Sequence, residues 1–397
     1  MKIVLFIRSL AVGGSQRQLV TLAKQLAHHS HEVAVVVLYG GAPMESELAG
    51  SGVRLVSIDK AGRWDILGPL LRLRKVLHAE RPDIIYSFQP TQTVLSALFA
   101  GSGGRCGRLV FGIRAAYMHT PSYDWATWLS YRLETSLSRR AAAIVSNSYA
   151  GGAEAVERGM AAERVFVIPN GIDTDRLQPD AQAGRSFRKT WNIPPEAFVV
   201  GMVARLDPMK DHETFLSAAA RFVVEHSDAI VVCVGDGPQH YRRQLEQRAI
   251  SLGLADHIRW VGESKDVLGA YNAFDIATLS SAFGEGFPNV VAEAMACGVP
   301  IVVTDCGDAG LIVGNIGEAV PSRQPDSLYA AWSKLRQRMA RDSSIGATGR
   351  EAIVADYSVI EMVRRTELLF SALCGDQIAA AEINGWRKVP SVRRDPK

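Results

Sequence analysis

Residues 279–305 read LSSAFGEGFPNVVAEAMACGVPIVVTD, a stretch with a strand end, a glycine-rich loop, a short helix and a second strand. Gly284 and Gly286 give the loop backbone unusual freedom, and Pro288 suits a first helical position. Gly298 is typical of the left-handed residue that follows a helix. The pattern therefore predicts a strand–loop–helix–strand unit, in which the N-terminus of the helix is an anion-binding arrangement.

Two acidic residues accompany this unit, Glu285 in the loop and Glu293 within the helix. A glutamate among valine, alanine and methionine is hard to explain as part of a core, because a buried carboxylate needs partners. The alternative explanation is an ordinary loop-to-helix turn with one glutamate facing solvent.

Composition limits the function classes. The chain has 397 residues, of which 47% are hydrophobic and 21% charged, so we expect two domains with full cores. A net charge of +3 gives no argument for a nucleic-acid partner. The five scattered cysteines are typical of reduced thiols. The apolar segment at the N-terminus is too short for a signal peptide, because a charged residue follows it at Arg8. No apolar run approaches the ~20 residues of a membrane span. We therefore expect a cytoplasmic protein.

The chain opens with a strand over residues 2–7, the turn Gly13-Gly14 and a helix over residues 16–28. This order is typical of a doubly wound α/β domain, in which ligands lie at the carboxyl ends of the strands. The turn lacks the third glycine of the dinucleotide-binding fingerprint. A phosphate-binding turn and a plain tight turn both remain open.

Alternating strands and helices continue through both halves of the chain and predict two parallel sheets covered by helices. We assign residues 1–178 to the first domain and residues 179–353 to the second, with a proline-containing join near residues 178–196. Residues 354–375 are expected to form a helix that packs back toward the first domain. The basic tail, residues 376–397, is expected to be partly disordered.

Two further segments have competing interpretations. Residues 66–78 (ILGPLLRLRKVLH) predict a basic amphipathic helix that either packs its leucines into the core or rests on an anionic membrane surface. Asp173 and Asp175 have the spacing of a metal-binding pair, but they lie in a turn without a third ligand nearby. We read that turn as a loop and expect neither a metal nor another cofactor.

Two cations, Arg205 and Lys210, flank Leu-Asp-Pro-Met after the strand that begins at Phe198. Two cations at a strand end, opposite a helix N-terminus, can hold a diphosphate without a metal. A second glycine turn, residues 235–238, follows another strand. With Glu285 and Glu293 at the same sheet edge, a single site for a nucleotide-sized polyanion accounts for these residues.

The stretch FGEGFPNVVAEAMACGVPIVVTD resembles the Glu-x7-Glu signature of the retaining, nucleotide-sugar-dependent glycosyltransferases of family 4. Gly13-Gly14, residues 167–173, Arg205 with Lys210 and residues 234–238 are similar to further motifs of that family. The resemblance runs over residues 1–373. It implies the GT-B fold, an α/β architecture of two Rossmann-like domains whose parallel sheets face a deep cleft.

The resemblance also implies roles for individual residues. Arg205 and Lys210 would grip the donor's diphosphate and stabilise the leaving group, and Glu285 would contact the transferred sugar; these three are the expected catalytic residues. Glu293 would bind the ribose hydroxyls. The other expected donor contacts are Gly14, Gly235, Val261, Gly262, Gly286, Phe287, Pro288, Asn289 and Val290. The implied reaction is metal-independent transfer with retention at the anomeric carbon.

The first half of the chain departs from the family. Many members carry a histidine at the end of a first-domain strand, whereas the matching strand here ends Phe111-Gly-Ile-Arg114 and the nearest histidine is His119. Arg114 is therefore a candidate contact for sugar or acceptor, with a structural ion pair as the alternative.

The function that we expect from the resemblance is transfer from a UDP- or GDP-sugar to a saccharide or lipid-linked acceptor in cell-surface or exported polysaccharide synthesis. The enzyme would work in the cytoplasm, at the inner face of the membrane if residues 66–78 bind lipid. A sugar-nucleotide epimerase of the same fold and a non-catalytic nucleotide-sugar-binding subunit are the alternatives.

Overall fold

The computed structural model describes residues 1–62, 65, 67–99, 107–114 and 125–386. The chain divides into two compact units. The first contains Met1–Gly171 and Val359–Lys397, and the second contains Ile172–Ser358. Each unit is built on its own parallel sheet, as the alternating pattern predicts.

The first unit has a seven-stranded parallel sheet with the order β3-β2-β1-β4-β5-β6-β7 in its described residues. The chain reverses its direction of sheet growth between β1 and β4, which creates a topological switch point. The strands are β1 (Lys2–Ile7), β2 (Glu32–Val37), β3 (Arg54–Ser57), β4 (Ile84–Phe88), β5 (Arg108–Ile113), β6 (Ala143–Ser146) and β7 (Val165–Val167). The helices between them are α1 (Gly14–His28), α2 (Leu67–Glu80), α3 (Pro90–Phe99), α4 (Trp125–Leu137) and α5 (Tyr149–Glu157).

The second unit repeats this topology in a six-stranded parallel sheet with the order β10-β9-β8-β11-β12-β13. Its strands are β8 (Phe198–Val203), β9 (Ala229–Val234), β10 (Ile258–Gly262), β11 (Ile276–Leu279), β12 (Ile301–Thr304) and β13 (Glu318–Val320). Its helices are α6 (Ala181–Thr190), α7 (His212–Glu225), α8 (Gln239–Ser251), α9 (Val267–Ala273), α10 (Asn289–Ala296), α11 (Ala309–Val313), α12 (Pro325–Arg341) and α13 (Ile345–Tyr357). The prediction of two Rossmann-like domains with parallel sheets is confirmed.

Both faces of each sheet are covered. In β1, Ile3 and Leu5 enter one hydrophobic cluster, whereas Val4 enters another. In β8, the neighbours Val199 and Val200 likewise belong to different clusters. Strands buried on both faces need apolar residues at every position, which explains their continuous hydrophobic runs.

The boundary between the units lies at Gly171 and Ile172, earlier than the predicted join at residue 178. Ile172 and Leu177 are packed in a core cluster of the second unit, and the Ile172 amide donates to the carbonyl of Tyr357 at 2.8 Å. The expected join itself forms α6, capped by the side chain of Asp180 and anchored by buried Phe187. Capping and packing therefore override the prolines that suggested a linker.

The chain returns to the first unit at Val359 rather than at the predicted residue 354. Helix α14 (Val359–Leu373) contributes Met362, Val363, Leu369 and Phe370 to the core of that unit. Helix α13 stays with the second unit because Ile353 is buried in its core.

Part of the tail that was expected to be partly disordered, residues 376–397, is helical. Helix α15 (Gln377–Asn384) begins at the cap Asp376, whose carboxylate accepts from the amides of Ile378 and Ala379. Beyond it, Trp386 meets the ring of Phe166 edge-on at 6.2 Å between centroids. The predicted tail beyond residue 386 lies outside the described residues. Among the helices described, none is both long and apolar enough to cross a membrane.

Candidate active site

The predicted catalytic residues of the second unit follow β8 and β11, which lie side by side at the switch point of the six-stranded sheet. Lys210 lies on the connection after β8, and Glu285 lies on the connection after β11. Because parallel strands end at the same edge, these two loops start next to each other. The site residues therefore sit where open α/β sheets bind their ligands.

Lys210 and Glu285 are in direct contact. The Nζ of Lys210 donates to Oε1 of Glu285, and the hydroxyl of Ser281 donates to the same oxygen at 2.6 Å. Only 15% of the Lys210 side chain and 9% of the Glu285 side chain are exposed. Two donors on one carboxylate oxygen fix the orientation of Glu285.

Backbone contacts tie the two loops together. A single 3-10 turn, Pro208–Lys210, is capped by Asp207, which accepts from the amide of Met209 at 2.9 Å. The Ala282 amide of the glutamate loop donates to the carbonyl of Met209 at 2.8 Å. The hydroxyl of Ser280 donates to the carbonyl of Lys210 at 2.8 Å. Lys210 is therefore held at both its backbone and its side chain.

Arg205, the second predicted cation, has a different environment. Its side chain is 67% exposed, and it donates to the carboxylate of Asp207 at 2.9 Å. The two cations thus lie on one loop but differ in burial. Lys210 is fixed inside the site, whereas Arg205 can reorient toward a ligand.

The glycine turn after β9 supports the arginine loop. Gly235 has a φ of +131°, and a Cβ built on it would lie 2.0 Å from the carbonyl oxygen of Ala204. A Cβ on Gly237 would lie 2.2 Å from the carbonyl oxygen of Leu206. The structure therefore gives these glycines a packing reason: no side chain fits between the turn and the loop that carries Arg205.

Helix α10 follows the glutamate loop. Pro288 precedes the helix with an extended conformation, φ −76° and ψ 98°, so its predicted place as the first helical residue is wrong by one position. The helix begins at Asn289, and Gly298 has the expected left-handed φ of +74°. The loop is braced at Gly286, whose carbonyl accepts from the amide of Asp308 at 2.9 Å. Of the other expected donor contacts here, Val290 lies in the first turn of α10 and Phe287 is buried beside the ring of Tyr357.

Glu293 has a specific partner inside the helix layer. Its Oε2 accepts from the hydroxyl of Tyr271 at 2.9 Å. Burial, and then the charge of Glu293, raise the pKa of Tyr271 well above its usual value, so the phenol stays a donor. The apolar neighbours of Glu293 in the sequence indicated that its carboxylate needs a partner. That partner is Tyr271, which the sequence did not suggest.

Two of the expected donor contacts, Val261 and Gly262, end β10. The Val261 side chain belongs to the core, so only its backbone is suited to meet a ligand. Gly262 has a φ of +75°, and its carbonyl accepts from the amide of Gly235 at 2.7 Å. The ends of β9 and β10 are thereby joined at the same sheet edge.

His212, which no sequence motif singled out, adjoins the site. It is the first residue of α7 and 1% exposed, and its Nδ1 has no hydrogen-bond partner among the described residues. Burial, and then the charge of Lys210, lower the pKa of His212 to about 4. The ring is neutral at pH 7, so it adds no second positive charge beside Lys210. Its position two residues after Lys210 was the signal that the sequence offered.

Two of the expected contacts belong to the first unit. Gly14 is the first residue of α1 and is exposed. Arg114 follows β5, donates to the hydroxyl of Tyr86 and lies over the ring of Phe88 at 4.1 Å from its centroid. Burial lowers the pKa of Arg114. Arg114 occupies the position of the expected histidine, and His119, the nearest histidine, lies outside the described residues.

The described residues contain no group of three or more histidine, cysteine, aspartate or glutamate side chains that could hold a metal ion. Metal-independent chemistry remains an expectation from the family resemblance.

Two family models match this chain, one in each half. The model described as Glycosyltransferase Family 4 matches residues 12–176, and the model described as Glycosyl transferases group 1 matches residues 197–338. Both predicted catalytic loops fall within the second match.

Curated proteins with similar sequences are also named as glycosyltransferases. The putative glycosyltransferase EpsF of Bacillus subtilis (strain 168) is 26% identical over 323 residues, which cover 78% of this chain and 79% of EpsF. A GDP-mannose-dependent alpha-(1-6)-phosphatidylinositol monomannoside mannosyltransferase of Mycobacterium tuberculosis (strain CDC 1551 / Oshkosh) is 32% identical over 200 residues. That match covers 48% of this chain and about half, 51%, of the relative.

Among solved structures, HepE of Anabaena in complex with UDP superposes with a TM-score of 0.82 at 22% identity. The match covers 94% of this chain and 100% of HepE. At that identity the likeness concerns the fold, two Rossmann-like domains of the GT-B type.

Proposed function

This chain belongs to the group 1 glycosyltransferases of family 4, and on that premise we propose that it is a retaining, metal-independent enzyme that uses a UDP- or GDP-sugar. The observation that carries the proposal is the buried pair of Lys210 and Glu285 at the switch point of the second sheet. It puts one cation and one carboxylate where a diphosphate-linked sugar would meet the strand ends.

In the proposed reaction, the bond between the anomeric carbon and the diphosphate oxygen breaks, and a bond to an acceptor hydroxyl oxygen forms. The hydroxyl proton leaves to a diphosphate oxygen or to water, and the nucleoside diphosphate departs. Negative charge grows on the diphosphate as its bond to the sugar breaks. Fixed cations stabilise that growing charge more than they stabilise the bound donor, so they lower the barrier.

Lys210 is the cation best suited to this role. Its ammonium group has three N–H donors, so it can keep its bond to Glu285 and still donate to a phosphate oxygen. Since its backbone carbonyl is also bonded, by Ser280, little reorganisation is needed when charge develops. The exposed Arg205 would close onto the diphosphate as a second cation.

Glu285 would accept hydrogen bonds from hydroxyls of the transferred sugar on its reacting face. Lys210 and Ser281 orient its carboxylate before any ligand arrives. Glu293 would bind the ribose hydroxyls in the same way, with Tyr271 as its orienting donor. These roles follow the family resemblance, and the preorganised hydrogen bonds support them.

Both nucleotides remain part of the proposal. The structural neighbour HepE was solved with UDP and with UDP-glucose, which supports a uridine donor. The mycobacterial relative is named for GDP-mannose, which supports a guanosine donor.

For the acceptor, we propose a saccharide or lipid-linked saccharide of a cell-surface or exported polysaccharide, used at the cytoplasmic face of the membrane. The mycobacterial relative is named for a phosphatidylinositol-linked acceptor. Helix α2 supports membrane contact through its exposed Leu67 and Leu71, beside the exposed cations Arg74 and Lys75. Its Leu73 and Leu77 are buried, so the helix also serves the core.

The proposal is tested with the purified full chain and a panel of UDP- and GDP-sugars in EDTA. We expect one nucleotide to raise the melting temperature and its sugar conjugates to release nucleoside diphosphate slowly. With an acceptor, NMR of the product should show that the anomeric configuration of the donor is kept. Failure of both nucleotides to bind would reject the donor site, and an inverted product would reject retention.

A further inference from the structure

The first unit contains a polar cavity of about 330 Å³ at the carboxyl ends of β4 and β5. It is lined by Gln92 at the start of α3, Arg114 after β5, Glu134 on α4 and Arg158 at the end of α5. Pockets for small ligands span roughly 300 to 1,000 Å³, so this volume suits a single sugar residue. All of these residues precede Gly171 and belong to one unit.

Gln92 is the unusual member of this cavity. Its side chain is 1% exposed, yet neither Nε2 nor Oε1 has a hydrogen-bond partner among the described residues. A buried polar group without a partner is energetically unfavourable, and native proteins contain few of them. A ligand with polar atoms in the cavity would remove that cost.

Two arginines of the cavity also have an unpaired donor. The Nε of Arg114 and the Nε of Arg158 are buried without a partner among the described residues. Both guanidinium groups are fixed by aromatic rings, Arg114 over Phe88 at 4.1 Å and Arg158 over Tyr131 at 5.2 Å. Together with the Gln92 amide, these arginines give the cavity three buried donor nitrogens without a partner, against one carbonyl oxygen without a partner, among the described residues. The cavity therefore suits a ligand that brings more acceptors than donors.

The charged residues of the cavity also favour a ligand that brings acceptors, and in particular an anion. Arg8, Arg114 and Arg158 contribute positive charge, opposed by Glu134 and Glu154. Burial, opposed by the charge and hydrogen bond of Arg158 and assisted by the charge of Glu154, raises the pKa of Glu134 to about 7. Part of the Glu134 population is therefore neutral at pH 7, and the cations prevail.

We propose that this cavity binds an anionic monosaccharide unit, a sugar residue that carries a carboxylate or a phosphate monoester. An oxygen anion supplies the acceptors that the two arginines and the Gln92 amide lack, and the sugar hydroxyls can donate to the Gln92 carbonyl. Resting on the proposed function, the cavity would select acceptors with an acidic sugar at the end that receives the transferred group.

The test is calorimetric titration of the full chain with glucuronate, glucose 6-phosphate, glucose and inorganic phosphate. We expect glucuronate or glucose 6-phosphate to bind at least about ten-fold more tightly than glucose and than inorganic phosphate, a difference of about 1.4 kcal/mol. Binding of glucuronate alone identifies a carboxylate, and binding of glucose 6-phosphate alone identifies a phosphate. Equal binding of glucose, equal binding of inorganic phosphate, or no binding of either acidic sugar overturns the proposal.

Variants of Gln92 locate the binding. Gln92→Met keeps the size of the side chain but removes its amide, and should weaken the acidic sugar at least about ten-fold. Gln92→Glu adds a negative charge, which repels the anionic ligand, and should abolish binding. Gln25→Met on α1, outside the cavity lining, is the matched control and should bind normally. Unchanged binding in both Gln92 variants, with unchanged melting temperatures, would place the ligand elsewhere and reject the assignment.

The outcome is separable from that of the proposed function. UDP and GDP binding reports on the second unit, whereas acidic sugars alone report on the first. Nucleotide binding without acidic-sugar binding rejects only the cavity, and the reverse result rejects only the donor site.

Discussion

The Nζ of Lys210 donates to Oε1 of Glu285, although 75 positions separate the two residues in the chain. Both side chains are largely buried, so each is the main compensation for the other's charge. Removing one partner therefore leaves the other buried without its counter-charge.

Lys210→Met should lower the free energy of unfolding by about 1–3 kcal/mol, because it leaves Glu285 buried beside a methionine. The double variant Lys210→Met/Glu285→Gln should be more stable than Lys210→Met, since the unpaired charge is gone. Sugar transfer should fall at least about 100-fold in Lys210→Met and in the double variant. Urea titration and a nucleotide-release assay measure the two effects. Turnover that recovers along with stability would contradict the catalytic assignment.

Glu293→Gln should weaken binding of the nucleotide by about ten-fold, since a charge-assisted hydrogen bond to the ribose is lost. The sharper readout compares UDP or GDP with its 2′,3′-dideoxy form. The natural chain should prefer the hydroxylated nucleotide, and Glu293→Gln should lose most of that preference. Tyr271→Phe is the comparison variant, because it removes only the donor to Glu293. If Glu293→Gln keeps the full preference, the ribose hydroxyls are bound elsewhere.

Gly235→Ala should destabilise the second unit by about 1–3 kcal/mol and displace the loop that carries Arg205. The added Cβ would meet the carbonyl oxygen of Ala204 at 2.0 Å. Gly253→Ala is the matched control, since Gly253 also has a positive φ, +75°, but open space around its Cβ position. Thermal unfolding and the KM for the donor should change more in Gly235→Ala. Equal effects would mean that backbone strain alone matters and that the contact with Ala204 does not.

His212 should make the second unit sensitive to acid. Its folded pKa of about 4 lies below the usual 6.5, so the neutral ring contributes stability above pH 6.5 that is lost as the pH falls toward 4. The contribution is at most about 3 kcal/mol. His212→Leu should flatten the dependence of unfolding free energy on pH in this window, whereas His240→Leu, at an exposed position of α8, should not. An identical slope in His212→Leu would assign the acid sensitivity to other groups.

Arg74→Glu/Lys75→Glu should weaken co-sedimentation of the protein with anionic liposomes at least about ten-fold, since each basic residue near such a surface contributes about 1 kcal/mol. Arg72 is left intact because its Nε donates to the carbonyl of Ile58 at 2.6 Å. Lys24→Glu/Arg139→Glu changes the net charge equally at exposed positions elsewhere in the first unit. Equal losses in the two double variants would indicate general electrostatics and not contact through α2.

The sequence was sufficient for the layered architecture, since buried parallel strands need apolar side chains on both faces and leave continuous runs such as residues 2–7. It was less reliable at boundaries. The join expected over residues 178–196 contains α6, and part of the tail expected to be partly disordered forms α15. In both segments a capping aspartate and a few packed side chains, Phe187 and Trp386, outweigh prolines and polar composition.

Spacing and residue type alone identified Arg205, Lys210, Glu285 and Glu293 as candidate site residues. A glycine loop before a helix and cations after a strand are local signals that a sequence contains. Only the tertiary structure decided which of them touch. The pairing of Lys210 with Glu285, the hydrogen bond of Tyr271 to Glu293, and the cavity around Gln92 join residues that lie far apart in the chain. A sequence records what each segment can donate, accept or bury, whereas the order of strands in the sheet determines which strand ends, and so which side chains, become neighbours.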